Sequence, residues 1–333
     1  MKPGTFRALL APLSFCALAM LGGSLANAQE KTILIMPKLV GIPYYNAVKI
    51  GVDKAAKELE GTARVIWQGP TADQVDKQIE MIDTALATGL DAVAVASNDP
   101  DAIVPVLQKA KENGTAVITW DGDANFRDVF VNFVNYDDFG AQLVEEMVKQ
   151  VGETADVAVV TSTLTAPNQS AWLNAIRAHI AKAHPGINII DVRPSQEDQQ
   201  LAFQVTQDLL KSHPELKGIF AITTVAVPGA AEAVKQLGLS GKIAVVGNST
   251  PNAIRSYFKD GTLKAAVLWD PSAHGYLSVY TALADANGEI ALGKSFNAGD
   301  LGDYTPFEDG KGLQVLLGAP LVFTPENIDN YDF

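Results

Sequence analysis

From Lys31 onward the chain alternates short apolar runs rich in β-branched residues with amphipathic stretches of helical length. That alternation limits the fold more than any other feature, because strands joined by helix-length crossovers lie parallel, with helices covering both faces of the sheet. Strands are expected over 32–36, 63–67, 92–96, 116–119, 156–161, 187–192, 218–222, 242–246 and 265–268, and helices over 45–59, 75–88, 100–113 and 139–150 among others. A weak internal repeat sharpens this reading. A shift of 127 residues lays Leu90-Asp91-Ala92-Val93-Ala94-Val95-Ala96 over Lys217-Gly218-Ile219-Phe220-Ala221-Ile222-Thr223, and Thr115-Ala116-Val117-Ile118-Thr119-Trp120-Asp121 over Lys242-Ile243-Ala244-Val245-Val246-Gly247-Asn248. The fold class is therefore α/β, with two similar Rossmann-like lobes, each a doubly wound parallel sheet.

The first 28 residues carry Lys2 and Arg7, a long apolar run and a small-x-small ending at Ala26-Asn27-Ala28, which reads as an export signal cleaved after Ala28. Periplasmic location follows, and it argues against gene regulators and cytoplasmic cofactor enzymes. Cys16, the one cysteine, sits inside the apolar run and leaves with the signal, so no disulfide is expected. Losing the two basic residues takes the net charge from −13 to −15. A chain this acidic repels phosphate backbones and anionic lipid, so nucleic acid and membrane surface are poor partners. The remaining stretch of about 305 residues is ample for two domains, since single cores stop growing near about 250–300 residues. No later segment approaches the about 18 apolar residues a spanning helix needs.

In doubly wound sheets ligands sit beyond the carboxyl ends of the strands. The corresponding loops here hold Lys38, Tyr44 and Tyr45; Ser97-Asn98-Asp99-Pro100; Trp120, Asp121 and Asp123; Asn168, Gln169 and Trp172; Pro228 and Ala230; Asn248 with Thr250-Pro251; and Trp269 with Asp270. Carboxylates and amides supply fixed partners for hydroxyl groups, and flat rings cover the C–H faces that hydroxyls leave apolar. The mixture suits a small polyhydroxylated ligand. Asp99-Pro100 and Thr250-Pro251 read equally as helix caps followed by a first-turn proline. Packing of Trp120 against its own lobe competes with ligand contact.

The segments Pro37-Lys38-Leu39-Val40-Gly41, Thr119-Trp120-Asp121-Gly122-Asp123, Ser249-Thr250-Pro251-Asn252 and Leu268-Trp269-Asp270 resemble periplasmic sugar-binding proteins of ABC importers, type I fold. The resemblance is nearest to the branch containing rhamnose-binding proteins and autoinducer-2 receptors, and it spans the mature chain down to Phe333. It implies polar ligand contacts at Lys38, Asp121, Asn168 with Gln169, and Pro228 with Ala230. It departs at Asn168, where an amide stands in place of a carboxylate, which points to a neutral monosaccharide, deoxysugar or sugar alcohol over autoinducer-2. It further implies a monomer that captures a sugar or polyol between its lobes and delivers it to a membrane permease. Domains are expected at 1–28 (signal), 29–136 plus 265–295 (first lobe) and 137–264 plus 296–333 (second lobe), with hinge crossings near 134–138, 261–264 and 293–300. Closure follows from a ligand that touches both lobes only when they meet.

No cofactor and no metal are expected. Residues 288–295 match the phosphate-loop pattern letter for letter, but a helix precedes them and Phe296-Asn297-Ala298-Gly299 follows, so they read as a surface turn. Asp121-Gly122-Asp123-Ala124-Asn125 opens like a calcium loop without its glycine or closing carboxylate. His179, His184, His213 and His274 lack helical metal spacing, and solvated positions are expected of them. The competing classes are a sensory receptor subunit and an exported carbohydrate-acting enzyme using Asp121 and Asp270 as paired carboxylates.

Overall fold

All nine expected strands form in the computed structural model, which describes residues 30–333 together with Met1 and Gly4. The signal expected over 1–28 otherwise lies outside the described residues. The first lobe begins with β1 (Lys31–Met36), α1 (Pro43–Glu58), β2 (Ala63–Trp67), α2 (Val75–Leu86), β3 (Ala92–Val95), α3 (Val104–Glu112), β4 (Ala116–Trp120) and β5 (Val129–Asn132). The second follows as α4 (Tyr136–Val151), β6 (Ala155–Thr161), α5 (Pro167–Ala183), β7 (Ile187–Pro194), α6 (Gln199–Ser212), β8 (Gly218–Ala221), α7 (Ala226–Gln236), β9 (Ala244–Gly247), α8 (Pro251–Lys259) and β10 (Ala266–Leu268). The chain then runs through α9 (Pro271–Ala286), the short strands β11 (Phe296–Asn297), β12 (Asp303–Tyr304), β13 (Phe307–Glu308) and β14 (Leu313–Leu316), and β15 (Leu321–Phe323).

Two sheets carry the lobes. The first has seven strands in the order β13-β14-β5-β4-β3-β1-β2, all parallel except β13. The second is parallel with order β7-β6-β8-β9, and β10 lies against its β9 edge and pairs antiparallel with β15. Thus β2-β1-β3-β4 and β7-β6-β8-β9 share one winding, and the residues related by the 127-residue shift are β3 with β8 and β4 with β9. Every residue of β3, β4, β8 and β9 is buried, as expected of parallel strands covered on both faces by helices.

The lobe boundaries depart from expectation at the carboxyl-terminal third. Residues 266–268 belong to the second lobe, and residues 313–316 belong to the first, where Leu313 pairs with Val129 and Leu316 with Asn132. The reason is pattern: buried Val315 lets Leu313-Gln314-Val315-Leu316 add to the open edge of β5. The chain accordingly crosses between lobes at 133–135, 269–270 and 317–320. The first crossing overlaps its expected position, and the other two replace 261–264 and 293–300.

Helix starts and one close contact aim the strand-end loops. Asn135, Asp198 and Asp270 cap α4, α6 and α9 by accepting backbone N–H bonds from their first turns. Helices α1 and α9 meet through glycines: a Cβ on Gly51 would lie 1.7 Å from the Ser272 carbonyl oxygen, and one on Gly275 would lie 2.3 Å from that of Val48. This approach brings the first turn of α1, with Tyr44 and Tyr45, beside Trp269 at the end of β10.

Candidate ligand site between the lobes

The carboxyl ends of the strands from both sheets face one narrow cavity with about 20 Å³ of free space, room for about one water. Its walls are Lys38 and Ile42 after β1, Tyr44 and Tyr45 on α1, Asp121 after β4, Asn168, Gln169 and Trp172 on α5, Glu197 after β7, Thr223 and Thr224 after β8, Asn248 after β9 and Trp269 after β10.

A polar chain joins the lobes across this cavity. The Lys38 ammonium, 2 % exposed, donates to Asn168 Oδ1 at 2.7 Å and Gln169 Oε1 at 3.3 Å. Asp121 accepts from Tyr45 Oη at 2.5 Å and from Asn168 Nδ2 at 3.3 Å. Gln169 Nε2 donates to Glu197 at 3.2 Å, and Thr223 Oγ1 donates to the other oxygen of the same carboxylate. Behind the front wall, fully buried Gln78 donates to the carbonyls of Pro37 and Ala96 and accepts from Asn98 N, while Asn98 Nδ2 donates to the Lys38 carbonyl. Loop positions are thus fixed by hydrogen bonds that an apolar side chain could not replace.

Burial and charge oppose each other around Lys38. Burial raises the carboxyls of Asp121 and Asp73 above their ordinary range, and it pushes Glu197 up to about 7, with the Lys38 ammonium pulling all three back down. Glu197 is only half-buried as a residue, yet its carboxyl group points to the enclosed side. Burial first, then the Asp121 charge, holds the hydroxyls of Tyr44 and Tyr45 protonated far above neutral pH. Among the described residues, the non-glycine positions with left-handed backbone are Asp121, Gln196 and Glu197, at φ values of 56°, 53° and 54°. Two of the three bring a carboxylate into the cavity, and such strain concentrates where surrounding structure enforces it.

Flat rings line the other side. Tyr44 and Tyr45 meet edge to face at 5.0 Å, Trp269 Nε1 donates to Tyr44 Oη at 3.0 Å, and Phe133 stacks on Trp269 with centroids 3.6 Å apart and planes 14° apart. Two buried polar atoms on the cavity wall, Trp172 Nε1 and Asn248 Oδ1, have no protein partner. A buried donor and a buried acceptor left unpaired are costly, each by about 1–3 kcal/mol, unless a ligand or water completes them.

The structure brings Lys38, Tyr44, Tyr45, Asp121, Asn168, Gln169, Trp172, Asn248 and Trp269 to the cavity wall. Four other candidates are elsewhere. Asp123 Oδ1 accepts from Thr119 Oγ1, Ala124 N and Arg127 Nε, locking the turn after β4. Asp270 is exposed and caps α9 through Ala273 N, so it forms no carboxylate pair with Asp121. Pro228 and Ala230 are buried within α7 and do not line the cavity. Trp120 is fully buried in its own lobe, donating to the Ala94 carbonyl.

Sequence reasoning missed Glu197, Thr223 and Thr224. The signal was the same strand-end rule: Glu197 follows the expected strand 187–192, and the two threonines follow 218–222 directly. The decoys resolve by context. Residues 288–295 form a turn between α9 and β11 with no helix behind them. His274 is fully buried rather than solvated: its Nε2 donates to the Val131 carbonyl at 3.0 Å, and burial lowers its pKa to about 4.

A family model described as a periplasmic binding protein domain matches residues 33–290. A solute-binding protein of an ABC transporter from Clostridium phytofermentas, solved with bound L-rhamnose, is 29 % identical with a TM-score of 0.87, over 91 % of this chain and 98 % of that one. LsrB from Clostridium saccharobutylicum, solved in complex with AI-2, is 25 % identical with a TM-score of 0.86, over 91 % of this chain and 100 % of that one. The D-ribose/D-allose-binding protein of Pseudomonas aeruginosa is 26 % identical over 268 residues, 78 % of this chain and 83 % of that protein.

Proposed function

This chain belongs to the periplasmic binding protein domain family, and from that premise we propose that it is exported to the periplasm, closes its two lobes around one neutral monosaccharide, deoxysugar or sugar alcohol, and hands it to the permease of an ABC importer. The observation that carries the reading is the make-up of the cavity wall: carboxylates, amides and hydroxyls on one side, indole and phenol rings on the other, with Trp172 Nε1 and Asn248 Oδ1 unpartnered between them. Charge favours a neutral ligand. The single ammonium of Lys38 already answers three carboxyls, so an anionic ligand would add unbalanced negative charge to a buried place.

Binding proceeds by complementary pairing. Ligand hydroxyls donate to Asp121 and Glu197 and accept from Lys38, and one ring face lies against the indoles of Trp172 or Trp269. Contacts come from both lobes, so the ligand stabilises the closed arrangement and no other. The permease then receives a shape that only the loaded protein maintains. Asp121 and Glu197 serve as acceptors held by Tyr45 and Thr223, and no turnover is expected.

The deciding experiment is thermal unfolding of the mature protein against pentoses, hexoses, deoxysugars, sugar alcohols and AI-2, followed by calorimetry on any hit. Ligand at about 100 times its Kd adds about 2.7 kcal/mol to native stability, or roughly 4 °C for a chain of this size. A neutral saccharide should give that rise, recover unchanged, and lose its effect in Asp121→Ala. A rise with AI-2 alone would replace the sugar reading by the receptor reading, and no rise with any member would overturn both.

A further inference from the structure

At the end of α5 remote from the cavity, two imidazoles and a carboxylate converge. His179 Nε2 lies 2.9 Å and His184 Nε2 3.0 Å from the same oxygen, Oε1 of Glu145 on α4. The three donor atoms all fall within 4.8 Å of one another. The histidines stand five positions apart, one more than the four that bring two side chains onto one face of a helix. The spacing works because α5 stops at Ala183 and His184, at φ −133° and ψ 58°, turns its ring back toward His179, giving a centroid separation of 5.8 Å. The neighbouring Glu146 is engaged elsewhere, by Gln142 and Lys149, and Glu145 is left to the histidines.

Hydrogen-bond accounting at His184 singles out the arrangement. Its Nδ1 lies 2.7 Å from Glu153 Oε2 while its Nε2 faces Glu145. A protonated imidazole meets both carboxylates with N–H bonds, whereas the neutral ring has one N–H and one lone pair and sets lone pair against lone pair at one of the two contacts. A divalent cation can take the place of the Nε2 proton: Nδ1–H still donates to Glu153, and both Nε2 and Glu145 turn their lone pairs to the metal. A carboxylate behind a ligating imidazole is the usual device for fixing the ring and its tautomer.

We propose that Glu145, His179 and His184 form a binding site for a borderline divalent transition cation, Zn²⁺ foremost, with Glu153 orienting His184. Two imidazoles and one carboxylate select Zn²⁺, Ni²⁺ or Cu²⁺ over Mg²⁺ and Ca²⁺, which take oxygen donors. Three protein donors leave one tetrahedral position for water. The cation would clamp the carboxyl end of α5 to α4, the two helices that cover one face of the second sheet, at the opposite end of α5 from Asn168 and Gln169.

The test uses tag-free mature protein stripped with EDTA and titrated calorimetrically with ZnCl₂, then separately with MgCl₂, at pH 7.5. One equivalent of Zn²⁺ and no Mg²⁺ should bind, Zn²⁺ should raise the unfolding midpoint, and His179→Ala or His184→Ala should weaken binding at least tenfold with far-UV circular dichroism unchanged. Glu153→Gln should weaken it about tenfold. Glu145→Gln, which preserves shape, serves if a histidine variant misfolds, and it should also weaken binding at least tenfold. Absence of saturable Zn²⁺ uptake, or one-equivalent uptake unaltered by Glu145→Gln and by the double histidine variant, would overturn the site.

Discussion

Asp121 concentrates the demands on the site in one residue: left-handed backbone, a buried carboxylate, and hydrogen bonds from α1 of one lobe and α5 of the other. Asp121→Asn keeps the volume and surrenders one acceptor position, so ligand affinity should fall about ten- to a hundredfold, as expected when a hydrogen bond to a buried charge is lost, while the unfolding midpoint of the free protein stays within a few degrees; calorimetry and a thermal scan read the two. Glu197 sets a pH dependence. Its carboxyl, pushed up to about 7 by burial, must ionise to accept ligand hydroxyls, so binding expels a proton and affinity should drop several-fold from pH 8 to pH 6, a slope that Glu197→Gln should flatten. Its effect on folding has its own sign: a carboxyl raised from 4.5 to about 7 binds its proton more tightly in the native state, and that contribution to stability is lost as pH rises from about 4.5 through 7. His274 works the other way. Lowered from 6.5 to about 4, it resists protonation in the native state, so its share of stability is full above about 6.5 and is lost as pH falls toward 4. Replacing it with Asn should shrink the loss of unfolding midpoint between pH 7 and pH 5.

Among elements, the contact between α1 and α9 is the most sensitive, because backbone meets backbone there. A valine at Gly51 must displace the Ser272 carbonyl, which a Cβ would approach to 1.7 Å. Overpacking of this kind costs about 1–3 kcal/mol, and the rigidity of the opposing backbone puts Gly51→Val at or above the upper end. The midpoint should drop by roughly 5 °C or more, and ligand affinity should suffer too, since the approach of these helices sets Tyr44 and Tyr45 beside Trp269, just before α9. How far the elements could be read from the chain depended on periodicity. Long buried strands such as Thr32 to Met36 announce themselves by unbroken apolar runs, and they carried the doubly wound fold and most of the cavity wall. The four-residue β5 escaped because no helical stretch separates it from β4, β14 because its pairing with β5 spans about 180 residues of chain, and two-residue β13 because it pairs only with β14. Asp270 was misread for a related reason: a strand-end aspartate before proline is both a good ligand contact and a good cap, and only the distance to Ala273 N decides.

At the scale of the whole molecule, Lys38 bonds to Asn168 and Gln169 across the gap between lobes, and the proposed closure would rest on those contacts. Sugar should therefore reduce the radius of gyration in small-angle scattering, and Asp121→Ala should abolish that contraction at the same sugar concentration. The crossing residues give this motion its mechanics. Phe133 and Trp269 belong to two of the three chain crossings, and they lie face to face at van der Waals distance. Flat faces resist being pulled apart and slide with little resistance, so in the proposed closure the stack would act as a bearing on which one lobe turns against the other. Groups close to a bearing sweep short arcs and groups far from it sweep long ones. Under the proposed function, a ligand resting on the Trp269 indole would sit beside this bearing, and the amides and carboxylates of the cavity wall would close over it as a latch.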